Sequence, residues 1–381
     1  MQAKCQVDMT YGDIPKQLFM FTIPILLSQI LQQFYNIADT AIIGQYVGTD
    51  ALAAIGSTGL LIAVIVNFFI GLSTGVSAVI ANQFGAHEYD KLRKSIATSL
   101  SVSIALGIVF TIGSLIFMKP IINLLQTPKD VYYLAVDYLK ICFLGITFQL
   151  LYNIGTAILR ALGNTKDPLY FLVFSCVLNL ILDILFIVYF GWGVQGAAIA
   201  TLIARLVEMT IYLMVLIKKR HFFKFDLNGL LHINTDLLVN IVHKAIPLTL
   251  NEILFSVGQA MVFKSYIRCD EYLVASISVV DTVSNIMFIA FGGLSSAVSI
   301  MVGNKLGADP PDEAKDNARK LLCFSLMVSL VVGTCCFLAA PFVPNLYNVD
   351  VSIKETIVAL LRIKSIIINV YAFNVCIFFI L

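Results

Sequence analysis

Two carboxylates set inside long apolar stretches have the most chemistry to offer in this sequence. Asp39 lies in QQFYNIADTAIIG, with Tyr35 and Asn36 about one helical turn before it on the same face. Asp183 lies in the apolar stretch from Pro168 to Phe190, and Asn179 precedes it by four, so amide and carboxylate point the same way. A carboxylate at the centre of a membrane-spanning helix costs at least about 2.5 to 3.5 kcal/mol, which makes it a functional candidate by default. Such a group can take up a proton or hold a cation, and Asp39, Asn179 and Asp183 are the candidate set for H+ or Na+. The second-half counterparts of Asp39, around Met261 and Val262, are apolar, so the charge is not needed merely to build the repeat described below. A second reading stays open: a buried hydrogen-bonded pair that fixes helix packing.

Other polar residues within apolar stretches are weaker candidates. Tyr35, Asn36, Asn153 and Glu252 are candidates to line a cavity; Glu252 follows Pro247 by five residues. Arg205 and Glu208 are three apart and can neutralise each other. Lys140 and Arg362 stand near the outer ends of their helices, where a long side chain can snorkel. The eight cysteines show no metal-ligand spacing and read as small core residues, and the four histidines fall in or beside loops without partner spacing. No metal centre is expected beyond Na+ at the aspartate set. No phosphate-cradling G-x-x-x-x-G-K-[ST] loop is present, so uphill transport by this chain would draw on an ion gradient and not on its own ATPase. No enzyme activity and no cofactor are expected.

The elements that must carry these residues follow from composition. With 59% hydrophobic residues, 13% charged residues and a mean hydropathy of +0.91, the chain reads as an all-α, polytopic membrane protein in contact with the lipid bilayer. Runs of the roughly 20 apolar residues needed to span predict ten helices, near 14–44, 51–81, 95–117, 131–159, 168–190, 194–217, 240–267, 272–302, 321–340 and 353–381. Pro24 and Pro247 are the expected bends. The polar start MQAKCQVDMTYGDIPK has no apolar core of a signal peptide. With the amino terminus placed in the cytoplasm, sixteen basic residues of the ends and loops fall inside and five outside, so a cytoplasmic amino terminus in the cell membrane is expected. Those basic residues follow topology and form no stripe for nucleic acid.

The chain also repeats itself. FIGLSTGVSAVIANQFGA (Phe69 to Ala86) lies over FGGLSSAVSIMVGNKLGA (Phe291 to Ala308), with nine of eighteen letters identical. Pro24 matches Pro247 and Lys140 matches Arg362, at offsets of 223 and 222. Duplicated hydrophobic halves are a recurring build of secondary transporters, whose sites lie between the repeats. The expected division is an amino-terminal lobe of six helices at 1–220, a cytoplasmic linker at 221–239 and a carboxy-terminal lobe at 240–381. Because Leu381 corresponds to Leu159, the second repeat is expected to hold four of six helices.

With these residues in view, the sequence resembles the multidrug and toxic compound extrusion family, the MATE transporters. NIADTAIIGQYVGTDALAAIG in the first helix, FFIGLSTGVSAVIANQFGA after it, the RALGNTKDP loop and NLILD in the fifth helix carry the resemblance across nearly the whole chain. It implies two six-helix lobes in an inverted V around a central cavity, and export of amphipathic organic cations or other drug-like small molecules against inward H+ or Na+, by a monomer. It further implies that Asp39, Asn179 and Asp183 form the cation-binding cluster of the first lobe. The family's seventh-helix glutamate lies deeper after the proline than Glu252 does. A lipid-linked oligosaccharide flippase shares the architecture, but a basic cavity would suit it better than this acidic cluster. An inactive truncated fragment is the remaining alternative.

Overall fold

The computed structural model describes residues 14–124, 130–218, 235–269, 272–346 and 351–380. The expected linker at 221–239 therefore lies mostly outside the described residues. The described chain is helical from end to end: α1 (Ile14–Tyr46), α2 (Thr49–Gly85), α3 (Tyr89–Leu124), α4 (Tyr132–Leu144), α5 (Ile146–Ala161), α6 (Lys166–Asp183), α7 (Gly193–Lys218), α8 (Thr235–Cys269), α9 (Tyr272–Ala308), α10 (Pro311–Ala339) and α11 (Val351–Ile380). Among the described residues, eight helices are long and apolar enough to cross a membrane, or nine when α4 and α5, bent by 46° at Gly145, count as one broken span. The tenth expected run falls in α11, a helix of 30 residues. In hydrocarbon a backbone must satisfy its own hydrogen bonds, and a helix does so within one segment. This is a multi-pass membrane protein.

Local breaks set how these helices present their side chains. Pro24 lies inside α1, and Ser28 Oγ returns a hydrogen bond to the Pro24 carbonyl at 2.7 Å, a back-bond that favours bending. Beyond Asp183, α6 continues as a π-helical turn over Ile184–Tyr189, and the chain then reverses through Gly191 (φ +66°) and Gly193 (φ +58°), a backbone region open to glycine at little cost.

Packing divides the chain into two compact units. One takes residues 31–256; the other takes the described residues of Val7–Ile30 together with Val257–Leu381. In the first, α5 packs against α2, α3 and α7, and α6 packs along α7. Ile43, Ala51, Ile187, Val194 and Ala197 form one of its cores. In the second, α11 packs against both α9 and α10. Its cores join Val279 and Val280 to Ala340, Ile357 and Leu361, and Met287 and Phe291 to Ile368.

The unit boundaries fall inside α1 and α8, so packing exchanges the first parts of these helices relative to the sequence halves. One contact type occurs once in each unit. A methyl group on Gly71 of α2 would lie 2.5 Å from Thr249 Cα of α8, and one on Gly293 of α9 would lie 2.5 Å from Leu26 Cδ2 of α1. The two contacts are related by offsets of 222 and 223, the register of the repeat. Small residues permit this approach, which is how helices gain contact where lipid is as apolar as a side chain.

Candidate functional site

Four helices of the first unit supply polar side chains at the i, i+3 and i, i+4 spacings that keep residues on one helix face. α1 supplies Tyr35 and Asp39, α4 supplies Tyr138 and Cys142, α6 supplies Ser175, Asn179 and Asp183, and α7 supplies Thr201, Arg205 and Glu208. Asp183 and Glu208 have no exposed surface, and Asn179 is 1% exposed.

The network can be followed bond by bond. The carboxamide of Asn179 is satisfied when its Nδ2 donates to Asp183 Oδ2 at 2.7 Å and its Oδ1 accepts from the Thr201 backbone N–H at 3.2 Å. The Thr201 hydroxyl lies 3.1 Å from the Tyr35 hydroxyl. Arg205 Nη1 donates to Glu208 Oε2 at 2.8 Å, the ion pair that their spacing suggests. The Arg205 guanidinium carbon stands 5.7 Å from the ring centre of Tyr35 and 4.9 Å from that of Tyr152 on α5. Tyr152 stacks edge-on with Tyr212, whose hydroxyl accepts from Thr156 at 2.9 Å.

Asp39 stands one turn beyond Tyr35 on α1, and Asp183 one turn beyond Asn179 on α6. Asp39 Oδ1 and Asp183 Oδ1 are both buried with no hydrogen-bond partner among the described residues. A buried polar atom left unpaired costs about 1 to 3 kcal/mol, and more when charged. A buried carboxylate in that condition can be relieved by taking up a proton or by a cation that takes oxygen ligands. Among the described residues no group of three or more His, Cys, Asp or Glu side chains is placed to hold a metal ion.

The structure thus links Tyr35, Asn179 and Asp183 through Thr201, with Asp39 one turn beyond Tyr35 on α1. The other sequence candidates stand apart from these hydrogen bonds. Asn36 is exposed, and its carbonyl accepts from the Thr40 hydroxyl at 2.8 Å. Asn153 donates to the Gln149 carbonyl of its own helix at 2.8 Å. Glu252 is half-buried on the part of α8 that belongs to the first unit, where α8 meets α2 through Asn67 Nδ2 and Ser256 Oγ at 2.6 Å. Thr201 and Tyr138 were not singled out by sequence, although Thr201, Arg205 and Glu208 repeat at helical spacing through the apolar run of α7.

The MatE family model matches residues 24–185 and 247–381. The probable multidrug resistance protein YoeA of Bacillus subtilis is 30% identical over 310 residues, covering 80% of this chain and 67% of that protein. A FAD transporter of Shewanella oneidensis is 28% identical over 356 residues, covering 90% of this chain and 76% of its own length. Among solved structures, a multidrug resistance MATE family transporter of the MOP superfamily in an outward-facing conformation superposes with a TM-score of 0.90 at 24% identity, covering 100% of this chain and 84% of that one.

Proposed function

The chain belongs to the MatE family of transporters, and from that premise we propose that it is an antiporter exporting amphipathic organic cations and other drug-like compounds across the cytoplasmic membrane in exchange for H+ or Na+. Members of this family are transporters and not enzymes. The observation that carries the coupling reading is that Asp39 and Asp183 each keep a buried oxygen without a hydrogen-bond partner among the described residues, with Asp183 held by Asn179. Loading these carboxylates with a proton or Na+ neutralises buried charge and changes which packing of the first lobe is favoured. A ligand with different affinity for two packings shifts the balance between them. In this reading residues 1–220 and 240–381 act as the two lobes, 221–239 joins them, the amino terminus is cytoplasmic and the monomer is the working unit.

Support for drug-like cargo comes from relatives such as YoeA, a probable multidrug resistance protein, and MepA of Staphylococcus aureus, a multidrug export protein. The flippase alternative is not favoured by these relatives. The test is efflux from proteoliposomes holding the purified chain, with ethidium as cargo and an imposed Na+ or pH gradient. Gradient-dependent ethidium efflux that is lost in Asp39→Asn and Asp183→Asn supports the proposal. Efflux that ignores both gradients, or survives both substitutions, overturns it. FAD in place of ethidium separates a cationic cargo from an anionic dinucleotide.

A further inference from the structure

Arg205 is only 8% exposed and sits inside a membrane-spanning helix, so its charge must be met within the protein. Glu208 meets it, at 2.8 Å. Neutralisation alone does not account for the rest of its geometry. The guanidinium also stands between two aromatic rings, 5.7 Å from Tyr35 and 4.9 Å from Tyr152. A cation over a desolvated tyrosine face is attracted by the ring's charge distribution. Tyr35 is therefore held at both ends: its ring by Arg205, and its hydroxyl by Thr201 at 3.1 Å. Thr201 in turn meets the carboxamide that holds Asp183, while Tyr35 lies one turn before Asp39.

Resting on the reading of Asp39 and Asp183 as the coupling site, we infer that Arg205 is a positioning residue for that site: it fixes Tyr35, and through Tyr35 the spacing of α1 from α6 and α7 on which cation affinity depends. Glu208 has the complementary task of occupying the guanidinium, so that Arg205 serves the aromatic rings without becoming the resident counter-ion of the aspartates. The structural alternative is a buried ion pair that only ties α7 together. The two accounts differ in what they change. Positioning alters the cation concentration at half-maximal transport, whereas a packing defect lowers the amount or the maximal rate of functional protein.

The experiment uses the whole chain in proteoliposomes, with ethidium efflux measured against Na+ at fixed pH and against pH at fixed Na+. Arg205→Met/Glu208→Met removes both charges together, which avoids stranding one of them in the interior. It is expected to raise the half-saturating concentration of the coupling cation about tenfold with the maximal rate held within about threefold. Arg205→Lys keeps a cation against the ring and is expected to shift it by less than about threefold. Tyr35→Ala removes the ring and should raise the half-saturating concentration as the double variant does, with no further rise when all three changes are combined, as for groups acting through one contact. A half-saturating concentration equal to that of the unmodified chain in the double variant overturns the inference. If the double variant yields no folded protein, Arg205→Lys and Tyr35→Ala decide, and equal effects of the two overturn it. Asp183→Asn is run alongside: if it keeps the normal cation dependence, the coupling-site reading itself fails. If Asp183→Asn abolishes that dependence while the double variant is unshifted, only the role of Arg205 is lost.

Discussion

Asn179 and Asp183, one helical turn apart on α6, are joined side chain to side chain at 2.7 Å, and the same carboxamide takes the backbone N–H of Thr201 on α7. A single amide thus fixes a buried carboxylate to one helix and that helix to the next. Asn179→Leu keeps the volume and removes both bonds. It should lower stability in detergent by about 1 to 3 kcal/mol, the cost of leaving the buried Asp183 oxygen unmet. Thermal unfolding followed by loss of the monodisperse chromatographic peak measures this, and an unchanged midpoint would show that the bond contributes nothing to folding.

Arg205→Ala alone has a different expected outcome from the paired substitution. Glu208 has no exposed surface, and removing its partner leaves a buried carboxylate, a loss of about 3 to 5 kcal/mol. The single variant should therefore express at a small fraction of the amount given by Arg205→Met/Glu208→Met, as read from membrane yields. Equal yields would mean that the pair is not isolated from water.

Gly71 tests the crossing of α2 over α8. Its substitution by Ala places a methyl group 2.5 Å from Thr249 Cα, against backbone that cannot swing aside, so the helices must separate. Overpacking of this kind costs about 1 to 3 kcal/mol. Gly56, also on α2, has nothing within 4 Å of an added methyl group. Gly56→Ala should be neutral or stabilising by up to about 1 kcal/mol. If both alanine variants unfold at the same temperature, the close crossing is wrong.

Trp192 is the only tryptophan of the chain and stacks on Phe186 at 4.9 Å, just beyond the π-helical turn that follows Asp183. Phe186→Leu removes the stack and should shift tryptophan emission to longer wavelength and increase quenching by acrylamide. Because no other tryptophan contributes, the reading needs no background variant. An unaltered spectrum would place Trp192 away from Phe186.

Much of the site was legible from spacing alone. Tyr35 with Asp39, and Asn179 with Asp183, share helix faces because 3.6 residues make a turn, and a carboxylate in an apolar run is conspicuous by its cost. Thr201 was not legible, because a threonine in an apolar helix satisfies itself equally well on a carbonyl of its own helix, as Thr40 does on Asn36. Asn36 shares α1 with Tyr35 and Asp39, but its rotation on that helix puts it at the surface, while Asn153 lies on α5 and is bonded to its own backbone.

By itself, the sequence determined that this chain is helical and membrane-embedded, that its halves repeat at 222 residues, and that Asp39 and Asp183 are its costly charges. Each of these rests on run length, composition or periodicity within one helix. Only the tertiary structure decided that Arg205 lies against Tyr35, that Thr201 joins Tyr35 to Asn179, and that the first parts of α1 and α8 pack with the opposite repeat. Helical period fixes which residues share a face but not how one helix is rotated and crossed against another. In a membrane the apolar pattern gives little further help, because a face turned to lipid and a face turned to protein are made of the same side chains.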